Sequence, residues 1–294
     1  MNSCLLIFAL FCQAIGAQGT CNVSPGMCSQ DFPCCSKYGF CGSTPQHCGS
    51  GCNATSSFSK TSCRDSKIGC QKRVYNMTTS TIVTGGHSED ADFVAAGDYE
   101  VRDGTVILKM SKSGTGSSLH STRYLTYGRI SADIKTSRTG GVVSSFILQS
   151  EDKDEIDVEW VGYSLNEVQT NWFKRGIFPE WPATDGGRHP TDNSWAKFHT
   201  YTIDWSPRRI QWFIDGRLLR QQDTNDPSRF PSSPSRIGVG IWDGSAGADG
   251  TRQWAGGYVD FNSEDMRTQG YFDVQVKNIV AECSTDTDKT YLTK

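Results

Sequence analysis

The run Asp154-Glu155-Ile156-Asp157-Val158-Glu159-Trp160 alternates acidic and apolar residues. In a β-strand this alternation puts Glu155, Asp157 and Glu159 on one face and turns Ile156 and Val158 towards a core. Three carboxylates side by side repel one another, and each raises the others' pKa. Glycoside hydrolysis needs such a site, with one carboxylate ionised and another kept protonated. Positions i and i+4 of a strand lie about 13 Å apart at Cα. Two glutamates leaning together can bring their carboxyls near the ~5–5.5 Å of a retaining glycosidase. The spacing therefore predicts Glu155 as nucleophile, Glu159 as acid/base and Asp157 as the assisting carboxylate between them. No metal or cofactor is expected, because calcium favours ligands wrapped from a loop over ligands spaced along a strand.

The elements that must hold this strand read as β throughout. Strand patterns cover 99–110, 128–135, 142–149, 155–161, 198–206 and 210–215. Asp103-Gly104 and Asp215-Gly216 supply hairpin turns. No amphipathic helix is evident, so a sandwich of roughly 200 residues is expected. Tyr201, Trp205 and Trp212 alternate with polar residues and are assigned to its core, and His199 to a structural role. Gln169 and Asn171 are candidates to hydrogen-bond sugar hydroxyls. Trp242 and Trp254, with Gly-rich neighbours, are candidates to line a cleft, and Tyr127 is a further candidate.

The chain has 294 residues with a formal net charge of -3, which argues against a nucleic-acid binder. Eight Trp, 10 Tyr and 14 Phe exclude disorder for the bulk of it. The apolar run from Leu5 to Ala17 is too short to span a bilayer and reads as a signal peptide over residues 1–17. No second apolar stretch follows, so no membrane span is expected in the mature chain, and the polar tail at 285–294 is no lipid-anchor signal. Of 12 cysteines, nine fall between Cys21 and Cys70 and one at Cys283. The density implies an oxidising compartment and a disulfide framework. Zinc-ribbon spacing is missing. Asn22, Asn53 and Asn76 open glycosylation sequons. Residues 18–53 are Cys-dense and must be stapled, residues 54–80 read as a Ser/Thr-rich connecting segment, and residues 81–284 as the sandwich. Cys63 and Cys70 enclose a short loop and are expected to pair, which leaves Cys52 and Cys283 open.

The cysteine pattern from Cys21 to Cys52, and above all Cys34-Cys35-Ser36-Lys37-Tyr38-Gly39-Phe40-Cys41, resembles hevein-like chitin-binding modules. The resemblance implies bridges Cys21–Cys35, Cys28–Cys41 and Cys34–Cys48. It also implies a sugar-stacking platform of Tyr38 and Phe40, an N-acetyl contact from Ser36, and His47 in place of a third aromatic. Glu-Ile-Asp-Val-Glu resembles the active-site strand of glycoside hydrolase family 16, whose members are β-jelly-roll enzymes of the concanavalin-like type. Further matches include Thr126-Tyr127-Gly128-Arg129-Ile130 and Gly240-Ile241-Trp242-Asp243-Gly244. A chitin module ahead of such a domain, with Gln169-x-Asn171-x-Phe173 after the strand, resembles the fungal Crh family of cell-wall transglycosylases.

That resemblance implies a secreted, cell-wall, monomeric enzyme with chitin as donor and β-glucan or chitin oligosaccharide as acceptor. It would cross-link the wall and show chitinase side activity. The alternatives are a secreted β-glucanase carrying a chitin-targeting module and a non-catalytic chitin-binding lectin.

Overall fold

A computed structural model describes residues 19–21, 28–36, 38–43, 45–48, 52–59, 62–63, 72–84, 91–177 and 187–282. The expected signal peptide, the polar tail, Asn22, Cys70 and Cys283 lie outside the described residues.

The N-terminal module is a two-stranded ribbon, β1 (Cys34–Cys35) and β2 (Cys41–Gly42), followed by one helical turn, α1 (Pro45–Cys48). Its buried interior is sulfur: Cys21, Cys28, Cys35 and Cys41, with Phe32 packed against them. The bridges Cys21–Cys35, Cys28–Cys41 and Cys34–Cys48 are those the resemblance implies.

The expected Cys63–Cys70 bridge is corrected: Cys63 is bonded to Cys52. The reason is the path of the intervening chain, which folds back onto the ribbon. Asn53 N–H donates to the Cys35 carbonyl, Phe58 N–H to that of Pro33, and Cys28 N–H to that of Ser56. Buried Ser57 completes the join, accepting from Cys35 N–H at 2.8 Å and donating to the Asn53 carbonyl at 2.7 Å. The segment 54–80 is therefore not a plain connector. Its first part closes the module, and its later part adds strand β3 (Arg73–Tyr75) to the sandwich.

The sandwich continues with β4 (Ile82–Thr84), β5 (Phe93–Ala96), β6 (Asp98–Arg102), β7 (Thr105–Met110) and β8 (Gly116–Ser121). Then come β9 (Gly128–Lys135), β10 (Val142–Ser150), β11 (Glu155–Val161), β12 (Glu167–Phe173) and β13 (Gly187–Pro190). The last are β14 (His199–Ser206), β15 (Arg209–Ile214), β16 (Arg217–Asp223), β17 (Ser235–Asp243) and β18 (Phe272–Glu282). Two short helices, α2 (Asp249–Trp254) and α3 (Glu264–Thr268), lie between β17 and β18.

The front sheet has the order β13-β12-β11-β10-β17-β8-β5-β4. The back sheet has the order β16-β15-β14-β9-β18-β7-β6, with β3 also paired to β18. Asp103-Gly104 and Asp215-Gly216 turn their hairpins with positive φ at both positions, which suits the right-handed twist of the strands they join.

The core fills the space between the sheets. Ile156, Val158 and Trp160 of β11 point into it, and the Trp160 ring meets Tyr201 of the back sheet edge-on at 4.6 Å. Trp205 and Trp212 are fully buried, each with its ring N–H satisfied by a backbone carbonyl, that of Pro231 and that of Asp157. The second bond means that a back-sheet tryptophan holds the main chain of the carboxylate strand at its centre.

Candidate active site

Two features fix β11 in place. Its entry turn is anchored by Asp154, whose fully buried carboxylate accepts from Ser232, Ser233 and Arg175 N–H and pairs with Lys174 at 3.0 Å. Its ladders to β10 and β12 are unbroken. With Ile156 and Val158 committed to the core, Glu155, Asp157 and Glu159 share the outward, front face, as the alternation requires.

The register then defines rows across that face. Glu155 lies between Gln149 and Phe173, Asp157 between Ile147 and Asn171, and Glu159 between Ser145 and Gln169. One strand further, Gly238 and Gly240 of β17 extend the Asp157 and Glu159 rows. A Cβ at Gly238 would stand 2.9 Å from Ile147 and 3.1 Å from the His120 ring, so glycine there keeps the floor beside the carboxylates low. His120 of β8, opposite Gly238, continues the Asp157 row and is buried, and burial with the nearby Arg236 cation pushes its pKa down to about 3, so it is neutral.

The three carboxylates differ in environment. Asp157 is only 2% exposed. Burial, then the charges of Glu155 and Glu159, lift its pKa well above the usual carboxylate range, so it holds a proton and shares it with Glu155. Burial and the Glu155 charge raise Glu159 from 4.5 to about 8. Burial also raises Glu155, but hydrogen bonds from Asp157 and from Gln149 Nε2, the latter at 3.2 Å, work in the opposite direction. Two hydrogen-bond donors therefore converge on Glu155, and Glu159 has neither. The set has the asymmetry of a double-displacement site, with donors that favour the anion at Glu155 and a pKa of about 8 that favours the acid at Glu159.

The remaining candidates divide. Gln169 sits beside Glu159, with Oε1 accepting from the Trp254 ring N–H at 2.9 Å. Asn171 sits beside Asp157, with Oδ1 turned to its own neighbour's N–H. Trp254, at the end of α2, stacks on Trp242 at 6.1 Å. Trp242 is largely covered by this stack and by Val143, Val161 and Ala255, so Trp254 presents the more open ring. Tyr127 is corrected: it is buried in the core, edge-on to Trp205 at 4.9 Å. A positive φ of 63° at Tyr127, just before β9, accompanies this inward placement.

Gln149 was not a sequence candidate. Its strand is apolar on both faces, so alternation gives no signal until the register sets it opposite Glu155.

In the small module, Tyr38 and Phe40 are 55% and 47% exposed. Ser36 is buried, and its hydroxyl accepts from Phe40 N–H at 3.1 Å, so it shapes the turn that presents the two rings. His47 packs its ring directly over Gly42. Asn53 and Asn76 are exposed. Among the described residues, one group has metal-ligand spacing, Cys21, Cys28 and Cys41, and all three sulfurs are in disulfides. No helix among them is long and apolar enough to cross a membrane.

A family model described as glycosyl hydrolases family 16 matches residues 87–263, which contain the whole carboxylate strand. The chain belongs to glycosyl hydrolase family 16. Within the family it groups with fungal Crh-like proteins. It is 38% identical to Crh-like protein 2 of Aspergillus fumigatus, over 96% of this chain and 67% of that protein. It is 36% identical to Crh-like protein UTR2 of Candida albicans, over 89% of this chain and 58% of that one. The chain thus spans roughly three fifths to two thirds of these relatives' length. Among solved structures, apo Crh5 transglycosylase superposes with a TM-score of 0.62 at 29% identity, over 72% of this chain and 84% of that one. Crh5 transglycosylase in complex with NAG gives 0.59 at 32% identity, over 66% and 79%.

Proposed function

We propose that this family 16 protein is a retaining chitin transglycosylase of the fungal cell wall. It cleaves chitin and passes the cleaved segment to β-glucan or to another chitin chain, with hydrolysis of chitin as a side reaction. The observation that carries this reading is three carboxylates on one strand face, with the Gln149 amide donating to Glu155 and not to Glu159.

In the first step a Glu155 oxygen attacks the anomeric carbon and the glycosidic C–O bond breaks. The proton on Glu159 goes to the departing oxygen. In the second step Glu159 takes the proton of an acceptor hydroxyl. That oxygen attacks the anomeric carbon and the bond to Glu155 breaks. A sugar acceptor gives transfer, and water gives a shorter chitin chain. Asp157 keeps its proton throughout and steadies Glu155 in both charge states. Its Oδ1, buried and without a partner among the described residues, is an atom that a bound sugar could satisfy.

The relatives support a sugar-polymer substrate. One structural neighbour is a transglycosylase in complex with NAG, the unit of chitin. The hevein-like module, with Tyr38 and Phe40 outward, suits the same polymer. Secretion and a wall location fit the disulfides of the module.

Chitin oligomers mixed with fluorescent laminari-oligosaccharide test the proposal. Hybrid products are expected. Cleaved glucan with intact chitin would replace the proposal with a β-glucanase, and an absence of any product would replace it with a lectin.

A further inference from the structure

The sequence treats the small module as an independent anchor, but in the structure it is seated on the catalytic domain. The Tyr38 hydroxyl donates to the backbone carbonyl of Glu151 at 3.0 Å, 113 residues away. Glu151 lies in the β10–β11 turn, four residues before Glu155. Four residues of chain span at most about 14 Å, so the seat lies within that distance of the nucleophile's backbone.

The seat is rigid. The Glu151 side chain is almost fully buried, accepts from the Tyr124 hydroxyl at 2.7 Å and pairs with Arg236 at 3.5 Å. Arg236 also lies over the Tyr124 ring, and its strand position is directly opposite Gln149, the residue that donates to Glu155. Asp154 pins the far side of the same turn. A module tethered here meets the turn that leads into the carboxylate strand.

The tether engages the hydroxyl of Tyr38. More than half of the residue stays exposed, and Phe40 beside it is nearly as open. The hydroxyl stands at the rim of the ring, whereas stacking on a sugar uses the ring's face.

We propose that Tyr38 and Phe40 form an outer subsite of the catalytic face, so that one chitin chain is gripped by the module and cleaved at Glu155 together. This rests on the chitin reading above. Binding energy from sugars distant from the scissile bond then serves the reaction itself.

The test is kcat/KM as a function of chitin-oligosaccharide length in the whole protein, for wild type, Tyr38→Phe and Tyr38→Ala, with retention on chitin beads measured in parallel. In wild type, the octamer-to-tetramer ratio of kcat/KM is expected to be tenfold or more. Tyr38→Phe keeps the ring and loses the tether, and its ratio should fall several-fold with bead retention largely kept. Tyr38→Ala should lose both. A wild-type ratio near 1, or a ratio unchanged in both variants, overturns the shared subsite. Failure of the wild-type protein to bind chitin beads would instead overturn the chitin reading beneath it.

Discussion

The two halves of the molecule solve the same problem by different means. The N-terminal module has too few aliphatic residues to bury, so four bridges and one buried serine do the work of a core. In the chain-entropy account, a bridge closing a loop of this size limits the unfolded chain by about 3 kcal/mol. The sandwich depends on apolar burial, with Trp160, Trp205, Trp212 and Tyr201 filling the space between its sheets. The contrast shows where exposed aromatics are affordable. A module closed by sulfur can turn Tyr38 and Phe40 to solvent, whereas the sandwich needs Trp160, Trp205, Trp212 and Tyr201 inside and sets carboxylates on its front face.

The largest effect expected from breaking this division is at Glu155. Glu155→Gln keeps the shape and removes the nucleophile, so transfer and hydrolysis should both fall by orders of magnitude. It also removes one of three crowded acids, so the melting temperature should not drop. A folded Glu155→Gln protein with near wild-type turnover would refute the assignment.

Thiol reduction should separate the two halves. None of the described bridges reaches the sandwich, so reduced protein is expected to lose chitin-bead retention while still cleaving a soluble tetramer. Loss of tetramer cleavage along with retention would mean that the sandwich also depends on its disulfides.

The smallest effects are on pH. Activity needs Glu159 protonated, so it should fall as pH rises through about 8. It also needs Glu155 ionised, so it should fall on the acid side, at a pH above the ordinary 4.5 of a glutamate. Gln149→Leu removes a bond that favours the Glu155 anion, so the acid limb should move to higher pH while the alkaline limb stays. The same logic applies to stability. Glu159 has a folded pKa above its unfolded one, so its contribution is full below 4.5 and is lost as pH rises through 8. Glu159→Gln should remove that pH dependence from thermal melts. Superimposable melting-temperature profiles from pH 4 to pH 9 would mean that Glu159 is not raised.

What the sequence reveals depends on how local the cause is. β9 and β11 match their expected bounds residue for residue, because strict alternation and flanking turns are local signals. The Asp-Gly hairpins are legible for the same reason. The Cys52–Cys63 bridge is not, since the pairing depends on how residues 53–59 hydrogen-bond back to the ribbon. β3 is hidden in a polar stretch and exists because β18 offers it an edge. Gln149 becomes recognisable only once the β10–β11 register is known. The inward placement of Tyr127 is not legible either, because it depends on a partner distant in the chain, Trp205.

β3 has a mechanical consequence. The module's chain leads into Arg73–Tyr75, which are zipped to Ile279–Ala281 of the back sheet and further held by the ion pair of Arg73 with Asp92. If the module is fastened to a wall polymer and the wall is strained, tension travelling along the backbone enters the sandwich through the sheet that carries no catalytic carboxylate. The Tyr38–Glu151 hydrogen bond lies off that path, in the turn before β11. A pull along the chain thus enters away from the reacting groups, and the spacing of Glu155 and Glu159 is shielded from it.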